Sequence, residues 1–234
     1  LTTMKPFRFQ QFSIQQSKDV FRVGTDGVLL GAMCNVKNAK KILEIGTGTG
    51  LISLMLAQRN VSAKILAIDI NENAVKLASE NFRNSIFNEN LKVELKDFKN
   101  FETNENFDLV VCNPPFFEEN ASAKDVLARQ QVELNFRNLV EKSTEIITKK
   151  GILSIILPSE AAKDVKSLAE EFNLYLVREI NIYGIEGGNL KRNILEFSLA
   201  QKPLEISDFV IEKSPRKYSD QYLNLTKNFH VFGK

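Results

Sequence analysis

The run Lys41-Ile42-Leu43-Glu44-Ile45-Gly46-Thr47-Gly48-Thr49-Gly50 constrains this chain more than any other stretch. Residues of strand character lead into three alternate glycines, and the apolar-rich segment Leu51 to Gln58 follows with helical spacing. Glycines spaced this way let the backbone turn sharply and come close to a ligand where a Cβ would collide. A strand that turns at once into a helix is the first half of a βα unit, which commits the chain to an α/β fold with a mostly parallel sheet.

The remaining pattern agrees. Strands are expected at Lys41 to Ile45, Lys64 to Ile68, Leu91 to Leu95, Phe107 to Cys112 and Gly151 to Leu157, as short β-branched or apolar runs between helical segments. Two more, Leu174 to Ile182 and Arg192 to Ala200, are joined only by a loop with Gly184, Gly187 and Gly188, so they should form an antiparallel pair at one sheet edge. Helices are expected at Thr25 to Met33, Leu51 to Gln58, Asn73 to Asn84, Glu133 to Lys149 and Ser159 to Glu171, with Asp26, Asn71 and Ser159 as caps. Neither a repeat nor a low-complexity linker interrupts the pattern. The reading is one domain over residues 1–234, with an N-terminal arm at 1–24 and a C-terminal tail at 202–234. Leu1 to Thr3, ahead of Met4, are read as a remnant and left out.

The loop points to a nucleoside-containing ligand. Asp69 closes the next strand, where a carboxylate can accept hydrogen bonds from both hydroxyls of a ribose; the plainer alternative is that it only caps the following helix. A dinucleotide loop spaces its glycines G-x-G-x-x-G so that a pyrophosphate sits on the helix start. Here Gly46, Gly48 and Gly50 alternate, and Glu44 stands two residues before the first. That carboxylate repels a pyrophosphate and suits the cationic sulfonium and amino group of S-adenosylmethionine (SAM). A nicotinamide oxidoreductase is the competing reading, and it predicts stabilisation by NAD rather than SAM.

A second motif, Asn113-Pro114-Pro115-Phe116-Phe117, ends the fourth strand at the carboxyl edge, where open α/β sheets bind ligands. An aromatic amine is a weak nucleophile because its lone pair is delocalised into the ring. Two oxygen acceptors, the Asn113 amide and the Pro114 carbonyl, can hold its two hydrogens while the lone pair turns toward a methyl donor. Phe116 can stack on a planar base. The alternative is a proline turn with core phenylalanines.

Composition narrows the partners. Thirty-one basic residues against 29 acidic leave a charge of +2, so any polyanion site must be a local patch. The arm supplies one: Lys5, Arg8, Lys18 and Arg22 against Asp19, interleaved with Phe7, Phe9, Phe12 and Phe21. It reads as an RNA contact or, equally, as packing. No apolar stretch approaches the length of a membrane span, no run reads as a signal peptide, and Cys34 and Cys112 are the only cysteines; a cytoplasmic protein with no membrane partner and no metal is expected. His230, in an aromatic C-terminal segment, is read as structural.

With both motifs in hand, the chain resembles the SAM-dependent amino methyltransferases with an N-P-P-[FYW] signature. More narrowly it is similar to the tRNA1(Val) (adenine-N6)-methyltransferase family, through Lys5 to Phe12, Val23 to Ala32, the glycine loop and Asn113 to Phe116. The resemblance implies a Rossmann-like fold whose seven-stranded, mostly parallel sheet has an antiparallel edge strand. It implies methyl transfer from SAM, leaving S-adenosylhomocysteine, to the exocyclic amine of an adenosine beside the anticodon of valine tRNA; separately, a monomer is expected. Carried over by position, Thr25, Asp26, Glu44, Gly46, Gly48, Gly50, Asp69, Asp97 and Phe98 would surround the cofactor, and Asn113, Pro114, Pro115 and Phe116 the target base. Lys5, Arg8, Arg22, Arg129, Lys191 and Arg192 are candidate RNA contacts; for the last three a solvated charged face is the alternative. Where the family often has a histidine, this chain has Gln130 after Arg129. The motif alone does not choose among planar amines, so rRNA guanine, DNA adenine and protein glutamine stay open as substrates, as does a non-catalytic RNA-binding role.

Overall fold

The computed structural model describes residues 3–114 and 136–231. Strands β1 (Thr3–Arg8) and β2 (Ser13–Ser17) pair as an antiparallel hairpin, followed by α1 (Thr25–Met33). The βα units come next: β3 (Lys41–Ile45), α2 (Leu51–Arg59), β4 (Lys64–Asp69), α3 (Glu72–Arg83), β5 (Leu91–Leu95) and β6 (Phe107–Cys112). After helix α4, which includes residues 136–146, come β7 (Ile147–Pro158), α5 (Ser159–Glu171), β8 (Tyr175–Ile185) and β9 (Leu190–Ser198). The described chain closes with β10 (Glu205–Ser214), β11 (Lys217–Tyr218) and α6 (Asp220–Thr226).

The main sheet runs β11-β10-β8-β9-β7-β6-β3-β4-β5. From β7 to β5 all neighbours are parallel, whereas β9 is antiparallel to both β7 and β8. The centre is apolar on both faces, as a covered parallel sheet requires. Alternate residues go to opposite layers: Ile42, Leu109 and Val111 to the side of α1, α2 and the hairpin, and Leu43, Val110 and Cys112 to the side of α4 and α5.

The structure changes three sequence expectations. The antiparallel pair β8–β9 forms, but it is not the edge: β10, from the segment expected as a tail, adds in parallel to β8, so the sheet has nine strands rather than seven. The helix expected to run to Lys149 gives way to strand at Ile147, which pairs with Phe107, because the β-branched run Ile146-Ile147-Thr148 fits a pleated strand better than a helix end. Of the expected caps only Asn71 serves, accepting from the Asn73 N–H at 2.9 Å. Gly24 caps α1 without a side chain, while Pro158 occupies the cap of α5 and Ser159 Oγ donates to the Leu190 carbonyl instead.

Candidate active site

Parallel pairing places the expected motifs side by side. Ile45 is in register with Ile68 of β4 and Cys112 of β6, so Gly46, Asp69 and Asn113 each stand one residue beyond a shared row at the carboxyl ends of three adjacent strands. With strands about 4.8 Å apart, Asn113 and Gly46 are neighbours and Asp69 is one strand further. The connection from β5 returns to β6 on the far side of β3, which makes the β3–β6 crevice a topological switch point, the position where open α/β sheets bind ligands.

All three glycines have left-handed backbone, with φ of 72° at Gly46, 56° at Gly48 and 83° at Gly50. Their surroundings differ. A Cβ on Gly50 would stand 2.5 Å from Cε1 of the buried Phe82 ring, whereas one on Gly46 would meet nothing within 4 Å. Gly50 lets the loop settle on α3, and Gly46 leaves space open at the mouth of the crevice.

Glu44 lies beneath the loop, 1% exposed. One carboxylate oxygen, Oε2, accepts from Thr47 Oγ1 at 2.8 Å, from the Ser53 N–H at 3.1 Å and from Ser53 Oγ. The other, Oε1, is buried with no hydrogen-bond partner among the described residues. Burial pushes this carboxyl up to about 7, against the lowering effect of the Ser53 and Thr47 hydrogen bonds. One oxygen is thus saturated and the other unmatched among the described residues, an arrangement that suits a cationic or N–H-bearing ligand. Sequence reading missed Ser53 and Thr47 as its clamp; the signal was there in two hydroxyls at the loop and the following first helical turn.

Asp69 is half-buried, and both of its oxygens are in use: Oδ2 accepts from the Gly48 N–H and Oδ1 from the Asn71 N–H, each at 2.9 Å. It therefore ties the glycine loop to Asn71, the residue that caps α3. A carboxylate has about four acceptor sites, so two remain for a diol. Asp97 is exposed and accepts from the Lys99 N–H at 2.9 Å, while the Phe98 ring is buried and stacks on Phe101. Thr25 is exposed; Asp26 is half-buried and pairs with Arg192, Nε to Oδ2 at 3.0 Å. That ion pair joins the start of α1 to the start of β9, so Arg192 is already engaged within the protein.

Asn113 and Pro114 are half-buried, and no described residue hydrogen-bonds the Asn113 side chain. Pro115, Phe116 and Arg129 lie outside the described residues. Lys5, Arg8, Arg22 and Lys191 are exposed. The arm's aromatic residues divide: Phe9 and Phe12 are core, Phe9 stacking on Phe12 and on His230, while Phe21 is open. Asn81, 1% exposed and unremarked in the sequence, holds the arm in place: it accepts from the Gln15 N–H and donates to the Gln15 and Thr49 carbonyls. Among the described residues no group of three His, Cys, Asp or Glu side chains could hold a metal, and no helix is long and apolar enough to cross a membrane.

Comparison with known proteins now decides the family. The model of the methyltransferase small domain matches residues 15–183. A tRNA1(Val) (adenine(37)-N6)-methyltransferase of Flavobacteriaceae bacterium (strain 3519-10) is 50% identical over 98% of this chain and 100% of its own length. The chain belongs to the tRNA1(Val) (adenine(37)-N6)-methyltransferase family. The relative from Flavobacterium psychrophilum is 40% identical to this methyltransferase over 96% of the chain and 99% of its own length. A solved structure from Agrobacterium tumefaciens, described as a predicted O-methyltransferase, shares the methyltransferase fold at a TM-score of 0.70 and 16% identity, covering 87% of this chain and 96% of that one. The fold expected from the two motifs is borne out. The residues around the crevice also fit SAM: an unmatched buried carboxylate oxygen for its amino group, spare acceptor sites on Asp69 for its ribose, and open space at Gly46.

Proposed function

We propose that this methyltransferase transfers the methyl group of SAM to the exocyclic N6 of an adenosine in tRNA, at the position beside the anticodon of valine tRNA, and so works in the cytoplasm. The relatives' names support the substrate. The observation that carries the chemistry is the half-buried Asn113 amide, one strand away from the glycine loop and with no hydrogen-bond partner among the described residues. When bound, SAM supplies an electrophilic methyl carbon on a sulfonium leaving group.

The chain's own residues do the rest. Glu44 and the Gly46 turn hold the amino-acid end of the cofactor, and Asp69 its ribose. Asn113 Oδ1 and the Pro114 carbonyl accept the two N–H groups of the adenine amine, turning its lone pair out of the ring toward the methyl carbon. With SAM held there, its sulfonium would release the methyl group to N6 as the C–S bond breaks, and the proton would leave the new amine for solvent, so no strong base is needed at the start. The target base must leave its stack to reach this crevice.

Nucleoside mass spectrometry of tRNA from a strain lacking this gene should show one methylated adenosine missing relative to its parent; an unchanged profile would rule this function out. Replacing Asp69 by alanine should weaken SAM binding about tenfold or more in calorimetry, because the ribose loses a charged acceptor.

Glu44 gives a pH-dependent expectation. In the unfolded chain its carboxyl titrates near 4.5, and in the fold near 7. An acid whose folded pKa is raised adds stability that is fully present below the unfolded value and lost as pH rises through the folded one. The ligand-free protein should therefore melt lower at pH 8 than at pH 6, and Glu44→Gln should shrink that difference. SAM affinity should move the opposite way, tightening as pH rises through 7 in the wild type and staying weak and flat in Glu44→Gln.

A further inference from the structure

The segment linking the hairpin to α1 has two sides. One is packed: Val20 is buried against Ala74 and Leu77 of α3, and the Phe21 carbonyl lies 3.6 Å from where a Gly48 Cβ would stand. The other, together with the hairpin, walls a cavity of about 720 Å3 whose lining includes Met4, Phe7, Gln16, Lys18, Phe21 and Arg22. Neither Glu44, Asp69 nor any of the loop glycines lines it. The recess adjoins the glycine loop through the segment that touches Gly48, and its lining runs on to Gly24, next to Thr25.

Its chemistry is specific. Phe21 is 76% exposed, an aromatic face that the described fold leaves uncovered. Lys18 and Arg22 flank it, with Lys5 and Arg8 exposed on the adjoining strand. The one acid in the lining, Asp19, is engaged by the Ser17 hydroxyl at 3.0 Å. A planar face between two cations matches a flat ring carried on a phosphodiester, since base stacking on an aromatic side chain and phosphate contact by Lys or Arg are the two terms of single-strand binding.

We infer that this recess takes a nucleotide of the substrate RNA flanking the target adenosine, its base stacked on Phe21 and its phosphates held by Lys18 and Arg22. The inference rests on the RNA reading above and adds a second point of grip. Stacking tolerates any base, so the recess supplies affinity and registers the strand, while the crevice at Asn113 selects the reacting amine.

Fluorescence anisotropy of a labelled anticodon stem–loop RNA, with S-adenosylhomocysteine present, tests it alongside calorimetric SAM binding. Phe21→Ala should bind the RNA about 5- to 150-fold more weakly, Phe21→Trp should restore binding, and SAM affinity should not move. The Lys18→Gln/Arg22→Gln pair should lower the slope of log affinity against log salt by about 1.4. Phe21 is exposed, so an unchanged melting temperature will confirm that the variant is folded. RNA affinity within two-fold of wild type in Phe21→Ala would overturn the inference, as would a loss confined to SAM, which would make Phe21 a cofactor cover. If wild type methylates the RNA and Phe21→Ala binds it normally, only this inference falls; if wild type neither binds nor methylates RNA, the proposed function falls first.

Discussion

Asn113→Ala is expected to lower single-turnover methyl transfer to anticodon RNA by about two to three orders of magnitude, the scale seen when one preorganised polar group is removed from a reacting centre. SAM affinity in the same variant should stay within about two-fold. The division follows from position. Asn113 stands at the end of β6, across one strand spacing from the loop that would hold the cofactor, and no described residue uses its amide. An acceptor placed to hold an amine acts on the transition state more than on the donor's ground state, so its loss appears in turnover. Calorimetry with SAM and rapid-quench methyl transfer measure the two quantities separately, and a collapse of SAM affinity in Asn113→Ala would contradict the assignment.

The second large effect separates two glycines that look equivalent on paper. Gly50→Ala drives a methyl group to within 2.5 Å of a buried aromatic ring on a backbone with φ of 83°. Overpacking of about 1–3 kcal/mol and left-handed strain of about 1–2 kcal/mol should together cost about 2–5 kcal/mol in denaturant unfolding. Gly46→Ala carries the same kind of strain but meets no atom within 4 Å. It should cost only about 1–2 kcal/mol, with its main effect a loss of SAM affinity, because the added methyl occupies space at the crevice mouth. Equal destabilisation in both variants would show that the two positions share one role.

The central fold was legible because its determinants are local. Strand character at Lys41–Ile45, glycines that alone tolerate the turn, and a helix directly after them specify a βα unit without tertiary information; Phe107–Cys112 and its Asn-Pro-Pro exit did the same for the neighbouring strand. What escaped depends on partners distant in sequence. The pairing of Arg192, a candidate RNA contact or solvated charge, with Asp26 spans 166 residues. Asn81 and Ser53 are ordinary polar helix residues until the fold turns one toward Gln15 and Thr49 and the other toward Glu44. Strand β10 was missed because it lies near an edge and its early residues Glu205, Ser207 and Asp208 are exposed, while Phe209 is buried, which leaves no alternation to detect.

The bridge between Phe9 and His230 has a practical consequence. Gln10 reinforces it, giving its N–H to the Phe229 carbonyl and its side-chain amide to the carbonyls of Lys227 and His230. Residues 220 positions apart are thereby stitched together, and the hairpin that walls the basic recess leans on the segment that follows α6. Clipping the protein shortly after Thr226 should fray that hairpin even though every one of its own residues is intact, and faster amide hydrogen exchange in β1 and β2 would register the damage.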